Sequence, residues 1–456
     1  MKTHKNWSYC PYKPLFVDTG EIYICRLAPH KNSVTLDYLS SANEFSIYCR
    51  LKGESSFILV GKTTEKTFTI TNLEENRDYE FYVASGNKTS RIRLARVGES
   101  VGLSVINYLH PDDEVYAFSG RYLCSPSIVR HPDGYLLTSM DLYAHAHPQN
   151  LTLIYRSDDN GLSWRYACEL FPCFWAKLFV HNGEIYCLGT STEYGDLLIG
   201  KSTDGGFTFG EPTVLLRGSN GKNGETGVHK NPQPVVKFNG RIYNTFEWGS
   251  WGRGYHAMAV MSAPDNADLL NSDSWTFSEP TPYNSSWVGT VDGNSCGNLE
   301  GGLTVVDNAL KVYSRYDTGN ANPSYGKIVV YWVDTVNPEN PIKFERVVDF
   351  NGNMSKFEVK FDRKSQTYYS IGNYLTDHEN RFSRNVLALY RSKNAINWEV
   401  DRFIYDYRNC DKNKVGFQYV DFEIENDEII FSCRTAINGA NSFHDSNYMT
   451  FDRIKI

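Results

Sequence analysis

Long apolar segments are missing from this sequence. Its 456 residues contain no hydrophobic run long enough to cross a bilayer, and the first residues, M-K-T-H-K-N-W-S-Y-C, lack the apolar core of a signal peptide. We therefore expect no membrane partner and a cytoplasmic location, or a secreted protein if a leader has been removed from the sequence.

Paired cysteines and basic runs are also missing. The ten cysteines are scattered singly without a C-x-x-C pair, which favours reduced thiols over a disulfide framework or a zinc site. Lysine and arginine number 46 against 53 aspartates and glutamates, and no basic run is long enough to follow a phosphate backbone. We expect no nucleic-acid partner, and the sequence calls for no metal or cofactor.

Aromatic residues, in contrast, are abundant. They make up 14% of the chain, with 31 tyrosines and 25 phenylalanines, a composition typical of a packed β-rich protein. The length exceeds one ordinary core and indicates two or three domains.

Residues 20–97 contain short alternating runs such as S-V-T-L-D-Y and F-S-I-Y-C-R-L, separated by polar turns. This spacing predicts a separate β-sandwich domain. The segment N-L-E-E-N-R-D-Y-E-F-Y-V-A resembles the end of a fibronectin type III module, with Leu73 and Tyr79 at that family's core leucine and corner tyrosine. The resemblance implies a module that spaces or docks, and we assign it no chemistry.

Residues 118–456 repeat one pattern six times. Each unit begins with an apolar run, passes through a polar turn and returns as a second strand; the runs start at Ser125, Trp175, Asn231, Asn298, Ser355 and Gln418. The starts lie roughly 50 to 67 residues apart, close to the length of a four-stranded propeller blade with its loops. We predict an all-β fold, a six-bladed β-propeller after the N-terminal sandwich. Residues 1–19 form a lead segment, and the connector 98–117 is expected to lend a strand that closes the ring.

A second motif recurs in phase with these units. The run S-D-D-N-G-L-S-W at 157–164 fits S-x-D-x-G-x-x-W, S-T-D-G-G-F-T-F at 202–209 fits with Phe for Trp, and S-K-N-A-I-N-W at 392–398 is a shortened form. Local Ser and Asp hydrogen bonds and a glycine that accepts positive φ make this spacing a stable hairpin turn. The motif is structural rather than catalytic.

The stretch 297–317 reads as two antiparallel strands joined by an Asp-Asn turn. Glu300 lies near the start of the first strand and Arg315 near the end of the second, so the hairpin brings this acid and base together at one edge. Taken alone, the pair fits either a surface ion pair or a functional one.

The in-phase turn motifs are the Asp-boxes of the sialidase superfamily, which residues 118–456 resemble. In that family a Glu begins one inner strand and an Arg ends its partner, as Glu300 and Arg315 do here. The resemblance implies a further arginine at Arg381 or Arg384 and a nucleophilic tyrosine opening the last blade, where Q-Y-V-D-F places Tyr419.

Two departures from the family pattern are equally clear. In C-S-P-S-I-V, Cys124 stands where the family's first-blade arginine would be. The loop that would supply the acid/base aspartate reads M-D-L-Y-A-H-A-H-P-Q-N, so His145 and His147 occupy that region and Asp141 comes slightly early.

In a propeller, the starts of inner strands and the ends of second strands open onto one face. Arg315, Arg381 and Arg434 could hold a carboxylate there, because a planar fork of donors matches two oxygens. His145 and His147 could transfer a proton or bind a metal, although no further ligands are evident. The remaining candidates for substrate contact at this face are Lys177, His229, Glu247, Trp248, Asp317, Asp421, His444 and Asp445.

We therefore predict a glycan-active enzyme, an exo-acting glycoside hydrolase on an acidic or modified sugar with a carbohydrate as its partner. Tyr419 would be the nucleophile, Glu300 its base, and His147 or Asp141 the acid/base. Two alternatives stay open: a polysaccharide lyase that uses a Tyr and a His on a uronate glycan, and a non-catalytic glycan-binding propeller.

Overall fold

The computed structural model describes residues 21–219, 224–290, 297–317, 326–352, 355–376 and 382–456. Within these ranges the regular secondary structure is β-strand, and the only helical elements there are two short 3₁₀ turns, Trp251–Arg253 and Ser272–Ser274. In the same ranges there is no helix with the length and apolar character needed to cross a membrane.

Eight strands build the N-terminal β-sandwich. They are β1 (Tyr23–Pro29), β2 (Val34–Leu39), β3 (Phe45–Leu51), β4 (Ile58–Thr63), β5 (Thr67–Ile70), β6 (Asp78–Ser85), β7 (Lys88–Thr89) and β8 (Arg93–Arg96). One sheet has the order β1-β2-β5 and the other β4-β3-β6-β7, with β8 also paired to β6. Burial alternates along β2 and β3, so each sheet turns one apolar face to a shared core.

The sandwich is fixed to the rest of the chain by buried arginines. Arg26 donates from Nε to the Ile106 carbonyl at 2.6 Å and from Nη2 to the Val105 carbonyl at 2.8 Å. Arg93 forms a buried ion pair with Asp113 at 2.6 Å. Because buried charges are costly without partners, these contacts hold the two parts in one arrangement.

Six sheets form the propeller, and we number them as blades in chain order. Blade 1 contains β10 (Tyr122–Arg130), β11 (Leu136–Tyr143), β12 (Thr152–Ser157) and β13 (Arg165–Leu170). Blade 2 contains β14 (Phe174–His181), β15 (Glu184–Thr190), β16 (Leu197–Ser202) and β17 (Thr213–Leu216). Blade 3 contains β18 (Gly227–His229), β19 (Val236–Phe238), β20 (Arg241–Ser250), β21 (Tyr255–Pro264) and β22 (Thr276–Phe277).

The last three blades follow the same plan. Blade 4 contains β23 (Gly297–Val306), β24 (Ala309–Asp317), β25 (Lys327–Trp332) and β26 (Lys343–Asp349). Blade 5 contains β27 (Val359–Asp362), β28 (Thr367–Asn373), β29 (Val386–Ser392) and β30 (Glu399–Asp406). Blade 6 contains β31 (Gly416–Glu425), β32 (Glu428–Ala436), β33 (Tyr448–Lys455) and a strand from much earlier in the chain, β9 (Ser104–Tyr108).

The pairing of β9 with β33 closes the ring. Tyr448 lies opposite Tyr108 and Met449 opposite Asn107, so blade 6 joins the last strand of the chain to one that precedes blade 1. Closure of this kind removes the free sheet edges that an open ring would expose. The predicted all-β, six-bladed propeller is confirmed.

The turn at 157–164 shows how local chemistry supports the blades. Asp159 accepts hydrogen bonds from the Ser163 backbone and hydroxyl, and the Gly161 N–H donates to Ser157 Oγ at 2.8 Å. Gly161 has φ +85°, and a Cβ there would lie 2.1 Å from the ring of Phe451. A glycine is therefore required both by the backbone conformation and by the close approach of blade 6.

Four inner strands share one irregularity, and it positions the functional site. Pairing with the next strand shifts register near the start of β10, β14, β23 and β31. At each shift one residue that is not glycine has positive φ: Ser125 (48°), Trp175 (53°), Glu300 (56°) and Tyr419 (55°). A β-bulge re-aims a side chain that strand alternation would otherwise place on a sheet face. Such backbone costs about 1 kcal/mol or more per residue and is concentrated at functional sites.

Candidate active site

A central cavity of about 1230 Å³ opens where the inner strands begin. All four bulged residues, Ser125, Trp175, Glu300 and Tyr419, line it. The volume exceeds the range of about 300–1,000 Å³ that is usual for small-molecule sites, and it is large enough for more than one sugar ring. The bulges thus deliver side chains from blades 1, 2, 4 and 6 to one place.

Glu300 and Tyr419 are in direct contact on the wall of this cavity, and Arg315 contacts both of them. The Tyr419 hydroxyl donates to Glu300 Oε1 at 2.7 Å, and Arg315 Nη1 donates to Glu300 Oε2 at 3.0 Å. Arg315 Nη1 also lies 3.4 Å from the tyrosine oxygen, and its Nη2 donates to Asp317 at 3.1 Å. The hairpin predicted at 297–317 forms, with Asp307 and Asn308 at positive φ in its two-residue turn.

The electrostatics keep Glu300 ionised. Burial acts to raise the pKa of Glu300, but the charge of Arg315 and the hydrogen bond from Tyr419 outweigh it, and the pKa is lowered. Burial together with the charge of Glu300 raises the pKa of Tyr419 to about 12, against the opposing effect of nearby arginines. At neutral pH the pair is therefore a carboxylate that accepts a hydrogen bond from a neutral phenol.

Three guanidinium groups surround the Tyr419 ring. Arg315 contacts its oxygen, while the guanidinium carbons of Arg384 and Arg434 lie 5.6 Å and 5.3 Å from the ring centroid. Arg384 donates to the Gln418 side chain. Cations at this distance stabilise the negative charge that develops as the phenol loses its proton.

Arg434 lies on the cavity wall beside His444. Its Nη2 donates to the His444 carbonyl, and its guanidinium carbon lies 5.6 Å from the centroid of the Tyr143 ring. Within the described ranges no carboxylate forms an ion pair with Arg434. Burial and the charge of Arg434 lower the pKa of His444 to about 4, despite a hydrogen bond to Asp445. Arg434 is therefore a cation available to an anionic ligand.

A histidine and a carboxylate from blade 3 stand next to Glu300. His229 Nδ1 lies 2.5 Å from Glu247 Oε2, and the other oxygen of Glu247 accepts the Glu300 backbone N–H at 2.5 Å. Burial acts to lower the pKa of His229, but Glu247 and more distant carboxylates outweigh it, and the pKa is raised. Glu247 thus links the bulge that carries Glu300 to a histidine that lines the cavity.

The rim of the cavity is aromatic and contains the two histidines predicted in the first loop. His145 is exposed and His147 half-buried; both line the cavity together with Trp251, which is 49% exposed. His147 Nδ1 lies 3.3 Å from the His145 carbonyl. Within the described residues, no three His, Cys, Asp or Glu side chains are grouped to hold a metal ion.

Asp141 lies beneath the cavity rather than on it. Its carboxyl is fully buried, and Oδ1 accepts from Thr152 at 2.5 Å. Burial raises the pKa of Asp141 to about 8, although the Thr152 hydrogen bond opposes the rise. A carboxyl enclosed in this way does not contact a ligand in the cavity, so its position does not favour the predicted acid/base role.

Several other predicted contacts lie off the cavity wall. Lys177 and Asp421 form a buried ion pair at 2.7 Å. Asp421 Oδ2 also accepts the Ile128 N–H, so these contacts tie blades 1, 2 and 6 together. Trp248 packs into the core between blades 2 and 3. Asp317 accepts a hydrogen bond from Arg315, and Asp445 lies within hydrogen-bond distance of His444. Arg381 lies outside the described residues.

Sequence reasoning overlooked Trp175 and Tyr194. Both line the cavity, and Tyr194 holds the wall by accepting the Trp251 N–H at 2.9 Å. The signal for Trp175 was present, because it begins the second repeat just as Tyr419 follows the start of the sixth. Regular alternation pointed instead to Lys177, which the bulge moves away from the cavity.

No family model and no curated protein matches this chain. Solved structures with a similar fold include Hadza microbial sialidase Hz136, at 11% identity and a TM-score of 0.52, covering 98% of this chain and 99% of that one. They also include the Penicillium chrysogenum α-L-arabinanase complexed with arabinobiose, at 15% identity, a TM-score of 0.50, and 77% and 97% coverage. The leech intramolecular trans-sialidase complexed with 2,7-anhydro-Neu5Ac matches at 9% identity, a TM-score of 0.50, and 98% and 93% coverage. At these identities the likeness establishes a shared sialidase-like propeller fold.

Proposed function

We propose that the protein is an exo-acting glycoside hydrolase that releases an acidic sugar. The observation that carries this proposal is the 2.7 Å hydrogen bond from the Tyr419 hydroxyl to Glu300 in the central cavity. A phenol next to a carboxylate can attack an oxocarbenium-like anomeric carbon while the carboxylate takes its proton. The resemblance of these residues to the nucleophile pair of sialidases supports the same roles.

The preference for an acidic sugar rests on the arginines. Arg434 has no carboxylate partner in the described ranges, and it lies on the same wall as Tyr419. A guanidinium in this position binds a carboxylate through paired hydrogen bonds and places the sugar over the nucleophile. The neighbouring folds include both sialidases and an arabinanase, so the substrate panel should include acidic and neutral sugars.

The test is a panel of 4-methylumbelliferyl glycosides of N-acetylneuraminic acid, glucuronic acid and L-arabinofuranose. The wild-type protein should release a saturated free sugar from an acidic member, and Tyr419→Phe should lower kcat by about 10³-fold or more. Tyr243→Phe is the matched control, because Tyr243 is a buried propeller tyrosine that does not line the cavity. Full activity in Tyr419→Phe would remove the proposed mechanism.

A polysaccharide lyase is the second candidate. The observation in its favour is that His229 and Tyr419 both line the cavity with Arg434, the set needed to abstract and return protons beside a neutralised uronate. A lyase would yield an unsaturated uronide that absorbs in the ultraviolet, whereas a hydrolase yields a saturated sugar. A protein that retains glycan without forming either product would instead be a binding propeller.

A further inference from the structure

The proposed hydrolase needs a group that protonates the leaving oxygen. The sequence offered Asp141 and His147 for this task. Asp141 is sealed beneath the cavity, and His147 sits on the rim with its Nδ1 near a backbone carbonyl. Asp141 is held by Thr152 away from the cavity, and in the described structure His147 has no carboxylate partner that would fix its tautomer and orientation.

His229 has such a partner. Its Nδ1 lies 2.5 Å from Glu247, and the residue is 3% exposed. In the described ranges Nε2 has no hydrogen-bond partner in the protein, while the residue lines the central cavity. A carboxylate that accepts from Nδ1 fixes the tautomer and leaves Nε2 to exchange a proton with a ligand.

The surroundings of His229 restrict how its ring can move. Its centroid lies 4.4 Å from the Trp175 ring and 4.4 Å from the His256 ring, and 5.8 Å from the ring of Tyr194. His256 is itself held through Nε2 by the Tyr194 hydroxyl at 3.0 Å. An imidazole enclosed on these sides is preorganised rather than mobile.

The position of His229 in the ring is also suitable. His229 lies on β18, the first part of the inner strand of blade 3, and Tyr419 lies near the start of the inner strand of blade 6. In a ring of six blades, blades 3 and 6 are opposite each other, and both residues line the central cavity. A nucleophile and a proton donor must act on opposite sides of the anomeric carbon of a retaining glycosidase. Glu300, in blade 4, contacts Tyr419 directly and Glu247 through its backbone.

We propose that His229, oriented by Glu247, is the general acid and base of this site; the proposal rests on the function proposed above. In the first step Tyr419 forms a bond to the anomeric carbon and gives its proton to Glu300, while the departing oxygen takes a proton from His229 Nε2. In the second step water attacks the anomeric carbon and gives a proton to His229, and Tyr419 leaves and regains its proton from Glu300. The net reaction consumes one water and releases two hydroxyl compounds.

The charged and titratable groups that face His229 come from four elements. Glu247 lies on β20, His256 on β21 and Glu300 on β23, while Glu193 and Tyr194 follow β15. The carboxylates favour the protonated imidazole that a general acid requires, and burial together with the charge of His229 lowers the pKa of His256. The surroundings thus favour protonation of His229 over protonation of His256, and of these two histidines it is His229 that lines the cavity.

The decisive experiment compares leaving groups. His229→Gln should lower kcat/KM for 3′-sialyllactose, whose alcohol needs protonation, by about 10³-fold, and that for the 4-methylumbelliferyl ketoside of N-acetylneuraminic acid by less than tenfold. Azide should accelerate turnover of the aryl substrate by His229→Gln, because an anion needs no general base. Glu247→Gln should give a weaker form of the same pattern. His181→Gln is the control, since His181 is a buried histidine at the far end of β14.

Each result decides between distinct possibilities. Equal losses on both substrates in a folded His229→Gln protein, or the leaving-group pattern in His147→Gln instead, would overturn the role of His229. If His229→Gln does not fold, Glu247→Gln carries the same test, and an unchanged leaving-group ratio there would also overturn it. Failure of the wild-type protein to release a free sugar from any acidic member of the glycoside panel, or undiminished cleavage by Tyr419→Phe, would refute the proposed function itself. If glucuronic acid is the sugar released, the same variants are compared on its aryl and alkyl glycosides.

Discussion

The Glu300 carboxylate accepts a 2.7 Å hydrogen bond from the Tyr419 hydroxyl although the two residues are 119 positions apart. Both residues have positive φ at equivalent bulges, one in blade 4 and the other in blade 6. The propeller closes the distance between the blades, and the bulges turn the two side chains towards each other. The chemistry of the site therefore depends on the ring as a whole and on a local irregularity repeated within it.

Replacing Glu300 by Gln tests its role as base. Gln keeps an oxygen that can accept from Tyr419 but cannot take its proton, so we expect kcat to fall by about 10²- to 10⁴-fold. Asp317→Asn is the matched control, because it also removes a carboxylate from Arg315 but not from Tyr419. Steady-state kinetics should show less than a tenfold effect for the control; equal losses would mean that the charge on Arg315, rather than the base, is what matters.

Replacing Arg434 by Met tests the binding of an anionic sugar. The apolar side chain fills similar space beside Tyr143 but cannot donate to a carboxylate. KM for an acidic glycoside should rise by about 10- to 100-fold, because the substrate carboxylate loses its hydrogen bonds to a charged group. KM for the corresponding methyl ester should change little. A similar rise in KM for both substrates would indicate a packing defect instead. The control is Arg402→Met, which replaces an exposed arginine and should leave both KM values unchanged.

Replacing Asp141 by Asn tests whether that carboxyl is structural. The pKa of Asp141 in the folded protein is raised to about 8. Between the ordinary pKa of an aspartate and pH 8, the folded protein therefore keeps a proton on this carboxyl that the unfolded chain has already released. Its contribution is favourable below the unfolded pKa and is lost as pH rises towards about 8, at about 1 kcal/mol per pH unit.

Denaturant unfolding of the wild type and Asp141→Asn at pH 5, 6 and 7 measures this effect. The variant should become progressively more stable relative to the wild type as pH rises, and it should keep most of its activity. A folded Asp141→Asn protein with less than about one hundredth of wild-type activity would instead return Asp141 to the catalytic machinery.

The pH profile should reflect two groups. The acidic limb of kcat/KM belongs to Glu300, which must be ionised and whose pKa is lowered, so this limb should lie below pH 4.5. The alkaline limb belongs to His229, which must be protonated and whose pKa is raised above 6.5. Glu247→Gln removes the largest favourable partner of His229 and should move the alkaline limb to lower pH. An alkaline limb unaffected by this variant would assign it to another group.

Much of the fold was predictable because its signals are local and repeated. Alternating strands, an Asp-Asn turn between Val306 and Ala309, and six units of similar length determine sheets, hairpins and blade number. Closure of the ring could be expected from the connector, but the partner strand and register of β9 depend on packing against β33, which no local pattern encodes.

The site was predictable only where residues keep their place in the repeat. Glu300, Arg315 and Tyr419 do so, and they meet in the structure. A bulge interrupts the side-chain alternation between Phe174 and Lys177. As a result the Trp175 side chain reaches the cavity, and the Lys177 side chain forms a buried ion pair instead. The pairing of His229 with Glu247 depends on the register of β18 against the far end of β20, whose near end pairs with β19 instead.

Covalent trapping tests the role of Tyr419 most directly. The protein would be incubated with a fluorinated analogue of the sugar that it releases, one that forms the glycosyl intermediate but hydrolyses slowly, and the labelled peptide would be sequenced by mass spectrometry. We expect the sugar on Tyr419, in the peptide that contains G-F-Q-Y-V-D-F, and no label in Tyr419→Phe. A label on Glu300 or on any other residue, or complete turnover without a covalent species, would contradict the proposal that this tyrosine is the nucleophile.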